Sequence, residues 1–134
     1  MIEVEVNKRI KCDFKDDFFC DIIKATLKKI KISKAKISIA IVGNKEIQNL
    51  NLKYRYKDEV TDVLSFRAVE AGDSFELEPN YLGEIILNFP YIVRQAKDLN
   101  HSTQKEIEIM LRHGLLHLLG YTHEQMRQLD IEAI

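Results

Sequence analysis

Residues 103–120 read TQKEIEIMLRHGLLHLLG, and the rest of the chain is best read outward from this segment. Ile107, Met110, Leu111, Gly114, Leu115 and Leu118 recur at spacings of three and four, which is the stripe of an amphipathic helix. Ile109 and Leu116 carry apolar character onto a further face, so the helix is expected to be central and buried. Thr103 and Glu106 stand in capping-box register at its start. Gly120 suits the left-handed turn that ends a helix. On this helix His113 and His117 lie one turn apart on the flank of the stripe, where side chains four apart are neighbours.

Around this helix the chain alternates strand and helix patterns. IEVEV near the start has period two and reads as a half-buried strand. FKDDFFCDIIKATLKKI then places Phe14, Phe18, Phe19, Ile22, Ile23, Thr26, Leu27 and Ile30 on one helical stripe. KISIAIVG returns to strand character, with Gly43 and Asn44 as a turn. In KEIQNLNLKYR, Ile47, Leu50 and Tyr54 share a helix face, so Tyr54 reads as core. TDVLSFRA is a short strand, Val69 to Asn80 a loop, and YLGEIILNF a strand buried on both faces. Pro90 sits near the first position of a helix, PYIVRQAKDL, where its missing N–H is harmless. The last ten residues form a short terminal helix. The pattern predicts an α+β fold: a four-stranded mixed β-sheet packed with about five helices, in one domain spanning residues 1–134.

Composition agrees with a folded domain and excludes several classes. Hydrophobic residues make up 46% and charged residues 31% of 134, enough apolar material for a core. No apolar run is long enough to span a membrane, and MIEVEVNKRI lacks the pattern of a secretory signal. A cytoplasmic protein is expected, with Cys12 and Cys20 as reduced, partly buried thiols. The formal net charge of -1 is lower than a duplex-coating protein would carry. Lys24, Lys28, Lys29, Lys31, Lys34 and Lys36 read as a solvated basic surface, with Lys53, Arg55 and Lys57 as a second basic group. Asp73, Glu76 and Glu78 are acidic counterparts in the loop.

Three of the four histidines fall within HGLLHLLGYTH, residues 113–123. His113 and His117 can grip one ion of the size and softness of Zn²⁺, and His123, just past Gly120, can complete a set of three. Three protein ligands leave a fourth tetrahedral position open, the arrangement of catalytic zinc; histidine-only sites also accept nickel and other first-row ions. The spacing H-x-x-x-H-x-x-G-x-x-H is that of metzincin proteases, but their glutamate after the first histidine is Gly114 here. A metal is therefore expected and peptidase chemistry is not. His101 has no such setting and is expected on the surface near the helix start.

HGLLHLLGYTH resembles the signature of the YbeY family of bacterial rRNA maturation factors, H-G-x-L-H-L-x-G-Y-D-H. NLKYRYKDEVTDVLSF, residues 51–66, is similar to the family's N-x-x-Y-R-x-K-D-x-P-T-D-V-L-S-F, and LGEIILN is similar to its L-G-D-I-x-I-S strand. The resemblance implies a single-strand-specific, metal-dependent endoribonuclease acting in 16S rRNA 3′-end maturation and ribosome quality control. It implies His113, His117 and His123 as ligands of one Zn²⁺ and Arg55 as the cleft arginine that contacts phosphate. The implied partners are single-stranded ribosomal RNA and the small ribosomal subunit or proteins associated with it, met by a monomer.

Two positions depart from the family pattern. Thr122 replaces the aspartate before the third histidine, and threonine is no strong base. Val60 replaces a proline, which loosens backbone without removing chemistry. No general base is assigned: Asp62 and Ser65 read first as structural residues, and Glu124 as part of a solvated helix start. Arg55 offers a planar fork for phosphate, against the alternative of pairing with Asp58 or Asp62. Two other functions fit the same residues: an RNA- or ribosome-binding module with a structural metal, and a zinc hydrolase of small substrates.

Overall fold

A computed structural model describes residues 1–68 and 79–128, and of His123 the backbone alone. Four strands, β1 (Ile2–Lys8), β2 (Ala35–Val42), β3 (Val63–Arg67) and β4 (Tyr81–Asn88), form one sheet in the order β1-β2-β4-β3. β1 pairs with β2 and β2 with β4 in parallel, whereas β3 runs antiparallel to β4 along an edge, so the sheet is mixed. Five helices accompany it among the described residues: α1 (Asp16–Lys29), α2 (Asn44–Arg55), α3 (Phe89–Asp98), α4 (Thr103–Leu118) and α5 (His123–Gln128). The fold is α+β, as the alternation of patterns predicts.

The alternation of side chains along β2 and β4 builds two unequal cores. Ile37, Ile39, Ile41, Ile85 and Leu87 face α1 and α4, where Phe19, Ile23, Leu27, Ile107, Leu111 and Leu115 close the main cluster. Ala40, Val42 and Ile86 face the other way, with Leu64 of β3 and Ile47 of α2, in a much smaller cluster. The last four residues of β4 are buried, which agrees with a strand covered on both sides. Leu82 is an extra residue opposite the Lys36–Ile37 step, and Gly83 takes φ +137° at this irregularity. Gly114 lets α4 lie close to the sheet, since a β-carbon there would stand 3.0 Å from Ile85 Cγ2.

Several expected boundaries move. Phe14 precedes α1 and stacks on Phe18 with ring centroids 4.7 Å apart, so it packs against the core from outside the helix. α3 begins at Phe89, where the Asn88 side chain caps it by accepting from Tyr91 N. The residue capping α4 is Ser102, whose hydroxyl accepts from Lys105 N; the Thr103–Glu106 capping box does not form. Glu106 is instead buried at 1% exposure and bonded to His101 and Gln95. His101 is therefore half-buried, with its Nε2 2.9 Å from Glu106 Oε1, rather than a surface residue. Tyr54 is 49% exposed rather than core, because the last turn of α2 passes beyond the small cluster. Of the expected loop, residues 69–78, with Asp73, Glu76 and Glu78, lie outside the described residues, as do 129–134 of the terminal helix. Cys12 and Cys20 are free thiols, half-buried, and burial raises the pKa of both.

Candidate functional site

α4 buries Ile107, Leu111, Leu115, Leu116 and Leu118, yet His113 and His117 on the same helix are exposed. The helix thus spends its apolar faces on the core and turns both imidazoles outward, one turn apart. Ser65 of β3 reaches His117: its Oγ lies 2.8 Å from Nδ1. That contact occupies Nδ1 and assigns Nε2 to any ligand, the arrangement expected of an oriented metal-binding histidine.

Past His117 the helix ends in a tight turn. Gly120 N bonds to His117 O at 3.0 Å, Tyr121 N to Leu116 O at 3.0 Å, and Gly120 takes φ +84°. Thr122 and Gln125 then cap α5 reciprocally: Gln125 N donates to Thr122 Oγ1 at 3.1 Å and Thr122 N to Gln125 Oε1 at 2.8 Å. The threonine that departs from the family pattern is therefore a helix cap. His123 is the first residue of α5, and its side chain lies outside the described residues. Among the described residues no group of three or more His, Cys, Asp or Glu could hold a metal ion. His113 and His117 supply two outward imidazoles, one with its second nitrogen fixed, and that donor set fits a first-row divalent ion.

Arg55, the last residue of α2, approaches the same strand from the opposite side. Its Nη2 donates to Ser65 O at 2.8 Å, and its guanidinium carbon lies 4.6 Å from the centroid of the Phe66 ring. Ser65 therefore meets Arg55 with its carbonyl and His117 with its hydroxyl. Arg55 also lines a cavity of about 690 Å³ beside β3 and β4.

The remaining candidates have structural work. Asp62 Oδ1 accepts from Val63 N at 2.8 Å and Oδ2 from Gln95 Nε2 at 3.2 Å, the hydrogen-bonding role expected of it. Asp58 accepts from Gln48 Nε2 at 2.9 Å. Glu124 is exposed and stands 3.7 Å from Arg127. Tyr56 is exposed in a left-handed C-cap, and Val60 packs against the small cluster. Lys24, Lys28, Lys29, Lys31 and Lys34 are exposed, in agreement with a solvated basic surface, whereas Lys36, in β2, is half-buried.

Sequence reasoning did not find the chain Asp62–Gln95–Glu106–His101 behind the site, nor the buried Asn88, whose Nδ2 donates to Asn44 Oδ1 at 2.7 Å and Thr61 O at 3.1 Å. It also passed over Arg67, whose guanidinium lies against Gly120: a β-carbon at residue 120 would stand 3.4 Å from Arg67 Nη2. The parity of β3 held the one usable signal, because Val63, Ser65 and Arg67 share a face.

Comparison with known proteins bears on this site. A family model described as Endoribonuclease YbeY matches residues 1–131. The Endoribonuclease YbeY of Dehalococcoides mccartyi is 40% identical over 138 residues, covering 92% of this chain and 80% of that protein. That of Alkaliphilus metalliredigens is 45% identical over 89 residues, covering 66% of this chain and 57% of that protein. The solution structure of TM1509 from Thermotoga maritima is similar with a TM-score of 0.56 at 28% identity, over 92% of this chain and 75% of that one.

Proposed function

As this chain belongs to the endoribonuclease YbeY family, whose members are nuclease-type hydrolases, we propose that it is a metal-dependent endoribonuclease specific for single strands. Its substrate in this reading is ribosomal RNA at the 16S 3′ end, met on the small ribosomal subunit or with proteins bound to it, in the cytoplasm. The observation that carries the reading is the double engagement of Ser65, hydroxyl to His117 and carbonyl to Arg55, which joins a candidate metal ligand and a candidate phosphate donor through one residue.

His113, His117 and His123 are the residues that would hold the ion, Zn²⁺ or another first-row divalent metal. When bound, such an ion supplies Lewis acidity towards a phosphoryl oxygen. The protein residues do the rest. Ser65 orients His117, and Arg55, held by the Ser65 carbonyl and the Phe66 ring, presents a guanidinium to a phosphodiester. Asp62 and Thr122 are engaged in a turn and a cap, so neither is assigned the role of general base.

The test is a metal titration beside an RNA assay. The purified parent should retain close to one divalent ion per chain and nick single-stranded RNA but not duplex. His117→Ala should lose both properties, and Arg55→Ala should keep the ion while losing cleavage. Ser65→Ala should lower metal affinity by about 10- to 100-fold, read by chelator competition. RNA binding without cleavage under any divalent metal would replace the nuclease by a binding module. Turnover of small esters without RNA cleavage would replace it by a small-substrate hydrolase.

A further inference from the structure

The cavity of about 690 Å³ lies beside the small cluster, between the last turns of α2, the edge strand β3 and the start of β4. Its volume is in the range that takes a small organic ligand. Arg9, Arg55 and Arg67 line it, against a single carboxylate, Glu84. Arg9 is ion-paired with Glu46 and Arg55 is seated on the Ser65 carbonyl, so both guanidiniums are held in place. Arg67 lines it as well, with its guanidinium against Gly120 and its Nε buried, without a hydrogen-bond partner among the described residues.

The walls supply aromatic surface as well as charge. Tyr54, Phe66 and Tyr81 line the cavity, with Tyr54 edge-on to Phe66 at 5.3 Å between centroids and Tyr81 Oη donating to Ser38 Oγ at 3.0 Å. Tyr54 leaves about half its surface in water, available to a flat ligand. Guanidiniums, aromatic faces and one carboxylate together match a nucleotide: phosphate for the arginines, a stacked base for the rings, base-edge N–H groups for the carboxylate. Guanine suits Glu84 best, because its Watson–Crick edge places two N–H donors side by side.

One lining residue of the cavity extends to the histidine side of the sheet. Arg67 shares a face of β3 with Ser65, lines the cavity, and rests against Gly120 in the turn that leads to His123. We propose that this cavity is a nucleotide subsite, which takes a guanosine next to the scissile bond, with its base at Tyr54 and Glu84 and its phosphate among the lining arginines. The subsite rests on the reading of the chain as an RNA nuclease, but its binding can be measured without cleavage.

The experiment titrates 5′-GMP, 5′-AMP, 5′-CMP and 5′-UMP into the purified full chain by calorimetry, beside a single-stranded RNA cleavage assay. GMP should bind about tenfold or more tightly than UMP. Glu84→Gln should erase that preference, and Arg67→Ala should weaken all four nucleotides alike. Tyr54→Ala, at an exposed ring whose loss leaves the core intact, should weaken binding by about five- to a hundredfold. Equal affinities for the four nucleotides, or affinities that none of the three variants changes, would overturn the subsite. If the parent still cleaves RNA, the nuclease reading survives that result. GMP binding as expected with no RNA cleavage under any metal would instead remove the nuclease reading and leave a nucleotide site.

Discussion

Gly83 and Glu84 are adjacent, and each governs stability by a different route. A β-carbon at Gly83 would overlap the Phe66 carbonyl oxygen and stand 3.0 Å from Leu118 Cδ2, at a residue whose φ is +137°. Gly83→Ala therefore adds backbone strain to a collision that no side-chain rotation relieves, and a loss of about 3 kcal/mol is expected from urea unfolding. A loss under about 0.5 kcal/mol, the range of neutral surface changes, would contradict that account. Glu84 acts through charge. Burial, reinforced by Glu46 and Glu5 and opposed by Arg9, raises its carboxyl above the ordinary glutamate value. An acid with a raised folded-state pKa contributes stability that is complete below its unfolded pKa and is lost as pH rises through the folded one. Glu84→Gln cannot ionise, so its melting temperature should rise relative to the parent between about pH 4 and pH 7. A difference between the two proteins that stays flat over that range would show that burial of Glu84 has no such cost.

At the scale of elements, the entry to α4 carries a polar network built around one buried carboxylate. Glu106, at 1% exposure, accepts from His101 and from Gln95, and Gln95 also donates to Asp62 in the turn before β3. The network thereby ties α3 and α4 to the strand that bears Ser65. Glu106→Ala removes the buried acceptor shared by two half-buried donors, and a loss of about 1.5–3 kcal/mol is expected. Glu108→Ala breaks only the partly exposed contact with Arg112 at 3.7 Å and should cost less than about 1 kcal/mol by the same measurement. Equal losses would mean that the network contributes no more than a surface ion pair. What was legible in the sequence follows from this contrast. The stripes of α1 and α4 and the burial of β4 were readable because periodicity reports which face meets a core. The cap of α4 was displaced because Ser102 and Thr103 are both capping residues, and only the bond to Lys105 N chooses Ser102. Tyr54 followed the stripe of α2 but not the core, since periodicity does not show where the sheet beneath a helix stops. The Ser65–His117 contact joins residues 52 apart, and no local pattern encodes it. The histidine pair was readable because four residues on a helix make one neighbouring site, whereas the path of His123 depends on a turn.

For the molecule as a whole, the two faces of the sheet are unequal in a way that bears on function. The α1–α4 face holds the main cluster, to which α4 contributes Ile107, Leu111, Leu115 and Leu118. The other face is covered by α2, which buries Ile47 and Asn51 alone among its twelve residues. Local stability follows buried apolar contact, so α2 should open with less free energy than the sheet and α4. Arg55 and Tyr54 sit in its last turn, and the elements that meet a ligand are commonly drawn from the less stable part of a fold. Hydrogen exchange under native conditions reads this directly. Amides of β2, β4 and α4 should exchange only through global unfolding, with protection that falls as urea is added. Those of α2 near Tyr54 and Arg55 should exchange faster, by an opening that urea scarcely alters. A single-stranded RNA that engages Arg55 and the cavity should slow exchange in α2 while leaving β2 unchanged. Protection of α2 equal to that of α4 without RNA would mean that Ile47 and its neighbours bind the helix more firmly than their burial implies, and that Arg55 is held rigid before any substrate arrives.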